Sequence, residues 1–146
     1  MSDQPFRIIV IANETLPGAN LDALVAGSPN VEVLVVAPAL NTRVRHWMND
    51  DALAIRRATR RLHASVGGLI ALGVDARGEI GDADPLLAAE DALRLFPADH
   101  LVVSTHPYGR SNWLAVNLIE RLRERLTIPI THLVVESAHL DVPVAA

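Results

Sequence analysis

The chain has 146 residues and a formal net charge of −4, with 50% hydrophobic residues and only 3% aromatic ones. That length holds a single domain, residues 1–146, whose core is aliphatic, as suits helices packed on a Val- and Ile-rich sheet. The absence of cysteine excludes a disulfide framework, a thiolate nucleophile and any cysteine-ligated metal centre, and the acidic balance opposes a nucleic-acid surface, which rewards clustered positive charge.

The opening segment MSDQPFRIIVIA carries Asp3 where a secretory signal needs positive charge, and its apolar run after Arg7 extends only from Ile8 to Ala12. A membrane span needs about 20 apolar residues, so Phe6–Ala12 reads as a strand and the protein is expected in the cytoplasm, away from membranes. Four more runs have strand length and β-branched content: Val31–Ala37, Val74–Ile80, Leu101–Ser104 and Ile130–Glu136. The runs at Phe6, Val31 and Leu101 are nearly continuous in apolar character, as expected of interior strands covered on both faces. Val74–Ile80 alternates Val74, Ala76, Gly78 and Ile80 with polar neighbours and reads as an edge.

Helical patterns fill the intervals. A short one, Ala19–Ala26, stops at Gly27-Ser28-Pro29. From Asp50 to Leu72, Ile55, Ala58, Leu62, Val66 and Leu69 step by three and four, with Arg56, Arg57, Arg60 and Arg61 opposite them. Those arginines read as a solvated face rather than a binding stripe. Pro85 opens a helix that runs to Phe96, and Asp82 and Asp84 before it read as turn and helix start rather than a metal-binding pair. The last helix takes Ser111 or Asn112 as its cap and buries Ala115, Leu118, Ile119, Leu122 and Leu126.

Strand and helix in alternation make an α/β fold of Rossmann-like kind: a five-stranded parallel sheet with right-handed crossovers and helices on both faces. In the order 3-2-1-4-5 the chain reverses direction between the first and fourth strands, and ligands bind where the carboxyl ends of those strands part. Two loops border that crevice. In the first, Asn13, Glu14 and Thr15 after Ala12 suit contact with a base or ribose, or a simple turn into Pro17-Gly18. In the second, the strand VVST (Val102–Thr105) gives way to HPYGRSN: Gly109 permits close backbone approach, Arg110 offers a planar fork to phosphate, and Ser111 and Asn112 face the same turn. The same residues serve equally as a turn followed by a helix cap. His106 is a weak candidate for acid–base chemistry, since no carboxylate or hydroxyl is tied to it by spacing. The other five histidines show no metal-ligand pairing, so no metal site is expected, and an enzyme is the less favoured reading.

Over essentially its whole length the chain resembles the universal stress protein family, a branch of the adenine-nucleotide α-hydrolase-like fold. The resemblance is carried by RIIVIANET, VEVLVVAP, GEIGDADPLLAAEDAL and ADHLVVSTH, and above all by Gly81 to Pro85. It implies a cytoplasmic homodimer paired through the fifth strand, a stress-response or regulatory role, and ATP or AMP as ligand, with magnesium left open. The base would lie near Ala12, Asn13, Val36 and Ala37, and the phosphate near Ser104, Thr105, His106, Gly109, Arg110, Ser111 and Asn112. The ATP-binding members share Gly, two residues, Gly, nine residues, Gly, then Ser or Thr; laid on this chain those positions are Ser104, Pro107, Asn117 and Leu118. Two further readings therefore stand beside nucleotide binding: a dimeric interaction module without a nucleotide, and, for the wider fold, a nucleotide hydrolase or nucleotidyl transferase using His106.

Overall fold

The computed structural model describes residues 4–12, 30–40, 49–105 and 110–134, the side chains of residues 40, 49–51, 54, 110–116 and 134 excepted. In chain order the described elements are β1 (Phe6–Ala12), β2 (Val31–Leu40), α1 (Asn49–Ala71), β3 (Asp75–Asp82), α2 (Pro85–Leu95), β4 (His100–Thr105), α3 (Arg110–Arg125) and β5 (Ile130–Val134). The helix expected at Ala19–Ala26 and the end of the fifth strand, Val135–Glu136, lie outside the described residues. All strand pairings are parallel, and the sheet order is β3-β2-β1-β4-β5.

The three apolar runs occupy the interior of the sheet, and the alternating run is its edge. Strand residues project to alternate faces, so each interior strand feeds two cores. Ile8, Val10, Ala12, Val33, Val35 and Val102 meet Ala58, Leu62 and Leu69 of α1. Ile9, Ile11, Leu34, Val36, Leu101 and Val103 meet Leu86, Ala89 and Ala92 of α2 and Leu118, Ile119 and Leu122 of α3.

Local chemistry sets the ends of the helices. After α1, Gly73 takes a φ of +86°, which glycine adopts without a Cβ penalty. Its N–H donates to the Ile70 carbonyl at 2.9 Å and that of Val74 to the Leu69 carbonyl at 3.0 Å, the paired bonds of a Schellman stop. Asp84 caps α2 by accepting from the Leu86 N–H at 3.0 Å, Pro85 fills the first turn, and Asp82 accepts from the Asp84 N–H at 2.8 Å. The two carboxylates thus serve the turn, as the sequence suggests.

Two expectations need correcting. The second strand does not stop before Pro38 but continues to Leu40, with an irregularity between Pro38 and Leu40. The ladder to β1 runs as far as Ile11 and Val36; beyond that point, among the described residues, β2 pairs only with β3, and a residue lacking an N–H is tolerated at such a bulged stretch. The last helix is not capped by Ser111 or Asn112, because it begins at Arg110 and both residues fall in its first turn. Pro107 and Gly109, the helix-breaking residues of this stretch, both precede Arg110 in sequence, so nothing after Gly109 delays the helix.

Gly81 lies close against both β2 and α2. A Cβ there would lie 2.7 Å from Val36 Cγ1 and 3.1 Å from Ala88 Cβ. Gly81→Ala should lower the unfolding free energy by about 1–3 kcal/mol, measured by urea denaturation. Gly78→Ala should cost less, because its Cβ would meet chiefly the flexible end of Leu62, 2.9 Å away.

Candidate functional site

The switch point lies between β1 and β4. Ala12 pairs in register with Ser104, so the two strands end within one residue of each other. Residues 106–109 then join Thr105 to Arg110, the first residue of α3. A helix beginning there presents unpaired backbone N–H groups and the positive end of its dipole to the rim of the sheet.

Of the residues singled out in sequence, Ala12, Val36, Ala37, Ser104 and Thr105 have described side chains, and all five are buried. Ala12, Val36 and Ala37 belong to the two cores, so contact from Val36 or Ala37 to a ligand would come from their backbone. Ser104 is fully buried, and its Oγ has no hydrogen-bond partner among the described residues. An unsatisfied hydroxyl in that position costs about 1–3 kcal/mol. Arg110, Ser111 and Asn112 form the first turn of α3, their side chains undescribed, while Asn13, Glu14, Thr15, His106 and Gly109 lie outside the described residues. Arg56, Arg57 and Arg60 are exposed and Arg61 is half-buried. Among the described residues no group of three or more His, Asp or Glu side chains is placed to hold a metal ion, and no helix is long and apolar enough to cross a membrane.

One pair near the site escapes sequence reasoning. Thr105 Oγ1 lies 2.6 Å from Nε2 of His132 on β5. The register sets His132 beside Val103, so His132 and Thr105, two residues further along β4, share the face toward α3. The signal was the strand order itself: once β4 and β5 are neighbours, polar residues of matching parity at their ends must meet. His100 makes the corresponding contact on the other face, 2.7 Å from Thr131 Oγ1.

Burial lowers the pKa of both histidines below the ordinary 6.5, and for His132 the positive charge of Arg123 adds to the effect. Each is therefore a neutral imidazole at pH 7, able to donate or accept through Nε2 according to its tautomer.

The opposite end of the sheet is built for rigidity. Arg7 donates to Glu32 at 3.0 Å, and the Arg7 N–H donates to Asp99 at 3.0 Å while the Asp99 N–H donates to the Arg7 carbonyl at 2.8 Å. Phe96, closing α2, has the Arg7 and Arg77 guanidinium groups 5.7 and 5.3 Å from its ring centroid.

No family model matches the chain, and no curated protein matches it. Among solved structures, the chain is similar to a universal stress protein family protein from Arabidopsis thaliana with AMP bound, at 13% identity, covering 92% of this chain and 95% of that one with a TM-score of 0.51. At that identity the likeness bears on the fold, and it agrees with the strand order described above.

The two histidines give the fold a pH dependence whose sign follows from their lowered pKa values. The unfolded chain takes up their protons more readily than the folded one, so stability is full above about pH 7 and falls as the pH drops through 6.5 toward the folded values. Equilibrium unfolding between pH 7.5 and 5, conditions chosen to bracket a pKa of about 6.5, should show that decline. It should flatten when His100→Gln and His132→Gln are combined, and NMR titration midpoints of 6.5 or above would contradict it.

Proposed function

We propose that this is a universal-stress-type binding domain that holds an adenine nucleotide, ATP or AMP, or another phosphate-bearing ligand, at the carboxyl ends of β1 and β4. The observation that carries the reading is the switch point itself: Ala12 and Ser104 pair in register, α3 begins at Arg110 just beyond them, and the buried Ser104 hydroxyl has no partner among the described residues. The phosphate would be held by Arg110, Ser111 and the first amides of α3, with Ser104, Thr105, His106, Gly109 and Asn112 around it. The base would rest near Asn13 with Glu14 and Thr15, against the backbone at Val36 and Ala37. The AMP in the similar Arabidopsis structure supports an adenine nucleotide as the first ligand to try. A role in stress response or regulation, a cytoplasmic setting and a homodimer paired along β5 complete the proposal. Pairing there would cover an apolar sheet edge that is otherwise an aggregation hazard.

A second reading is favoured by a specific observation. The glycine pattern of the ATP-binding members, laid on this chain, falls at Asn117 and Leu118 on α3, where Leu118 packs in the core. With only residues 106–109 between β4 and α3, the connection is shorter than that pattern spans. This supports a dimeric regulatory module without a nucleotide.

Calorimetric titration with ATP, ADP and AMP, with and without magnesium, separates the two. Saturable binding is expected under the first reading, and Arg110→Ala should weaken it roughly ten- to a hundredfold, the value of a charge-assisted hydrogen bond. No heat with any of the three from a folded protein would establish the second reading.

A further inference from the structure

The edge strand β3 carries a pattern that neither reading uses. Among the described residues it borders only β2, and Asp75, Arg77, Gly78 and Glu79 are exposed along it. A strand of eight residues with no proline is a template for another strand, and proteins commonly guard such an edge with charge. Here the charges alternate in sign on one face. Ala76 and Ile80 pack on the α1 side, so Arg77 and Glu79 project to the α2 side, where Arg77 lies over Phe96. Among the described residues neither Arg77 nor Glu79 has an ion-pair partner. A guanidinium has five N–H donors, and stacking on a ring leaves them available to a carboxylate.

We propose that β3 is a homotypic interface, in which the edges of two copies of this chain pair antiparallel about a two-fold axis through Gly78. A two-fold perpendicular to a sheet returns each face to itself, so opposed residues share a face and the axis passes through a residue. The two registers that pair the longest stretch of β3 place it at Gly78 or at Glu79. At Glu79 that side chain would oppose itself, and one step the other way Arg77 would do the same. At Gly78, Arg77 of each copy opposes Glu79 of the other, Ala76 opposes Ile80, and Asp75 opposes Gly81. Opposed unlike charges stabilise an antiparallel pair and like charges destabilise it. The edge is therefore complementary to itself in that register.

The α1 side of the edge fits the same partner. A groove of about 490 Å³ runs between α1 and β3, lined among others by His63, Val66, Gly67, Ile70 and Ile80. Ile70 is 56% exposed and Leu72 48%. Because α1 rests over β2 and β3, the two-fold sets the α1 helices of both copies side by side above the joined edge, with Ile70 and Gly67 between them. Gly78 on the axis brings no side chain between the paired backbones.

Sedimentation velocity of the full chain over a wide concentration range tests this, with circular dichroism to confirm folding. Arg77→Glu alone and Glu79→Arg alone should each raise the dissociation constant of one association step about tenfold or more, since each opposes like charges twice. An equimolar mixture of the two variants opposes only unlike charges and should recover that step, as should the double swap R77E/E79R in one chain. If β5 also pairs, the parent exceeds a dimer and the single variants stop at dimer. A parent chain that stays monomeric, single variants that associate like the parent, or a mixture that fails to recover association would each overturn the proposal.

Discussion

The fold depends on covering β1 on both faces. Ile9, Val10, Ile11 and Ala12 have no exposed surface, and β1 pairs with β2 on one side and β4 on the other. A strand in that position must be apolar at every residue rather than at alternate ones, and its crossovers must lead away in both directions to supply helices to both faces. The switch point is thus a consequence of burying the first strand. Small residues complete the seal: Ala88, Ala89 and Ala92 let α2 lie close to the sheet, and Gly81 lets β3 approach Val36 and Ala88. With few aromatic side chains available, close approach replaces bulk as the source of packing.

That dependence explains what could be read in advance. Continuous apolar runs at Ile8, Val33 and Leu101 mark two-sided burial, and the broken pattern of Val74 to Ile80 marks one-sided burial, so the interior or edge place of these four strands follows from hydrophobic pattern. The step of Ile55, Ala58, Leu62, Val66 and Leu69 gives the buried face of α1, with Ile55 and Val66 half-buried. Pro38 misleads because a missing N–H breaks a ladder only where a neighbour asks for it, and the ladder to β3 accommodates it with an irregularity between Pro38 and Leu40. Ser111 and Asn112 mislead because a polar run offers several capping side chains, and local preference does not choose among them.

The switch point was legible in place more than in detail. Its position follows from topology, which a sequence encodes through its pattern. Its side-chain partners follow from register between segments far apart in the chain, as when Thr105 meets His132. The Ser104 hydroxyl, without a partner among the described residues, also emerges only from packing, since nothing in VVST distinguishes a buried serine from one at the surface. Polar groups at the ends of β4 and β5 therefore carry information that composition does not.

The sheet's two margins constrain each other. A two-fold contact closes on itself, but two different two-fold contacts on opposite edges of one sheet join more than two molecules. A chain that pairs through both β3 and β5 builds an assembly larger than a dimer, and a closed dimer requires one edge to stay silent. Charge makes the β3 contact conditional on register, because a shift of the axis to Arg77 or to Glu79 sets like charges face to face. The same residues that admit one partner orientation reject its neighbours, and salt weakens exposed ion pairs of this kind. A ligand held at the rim of β1 and β4, as proposed, would lie near the middle of the sheet, apart from both margins, so the two proposals draw on separate residues of the same fold.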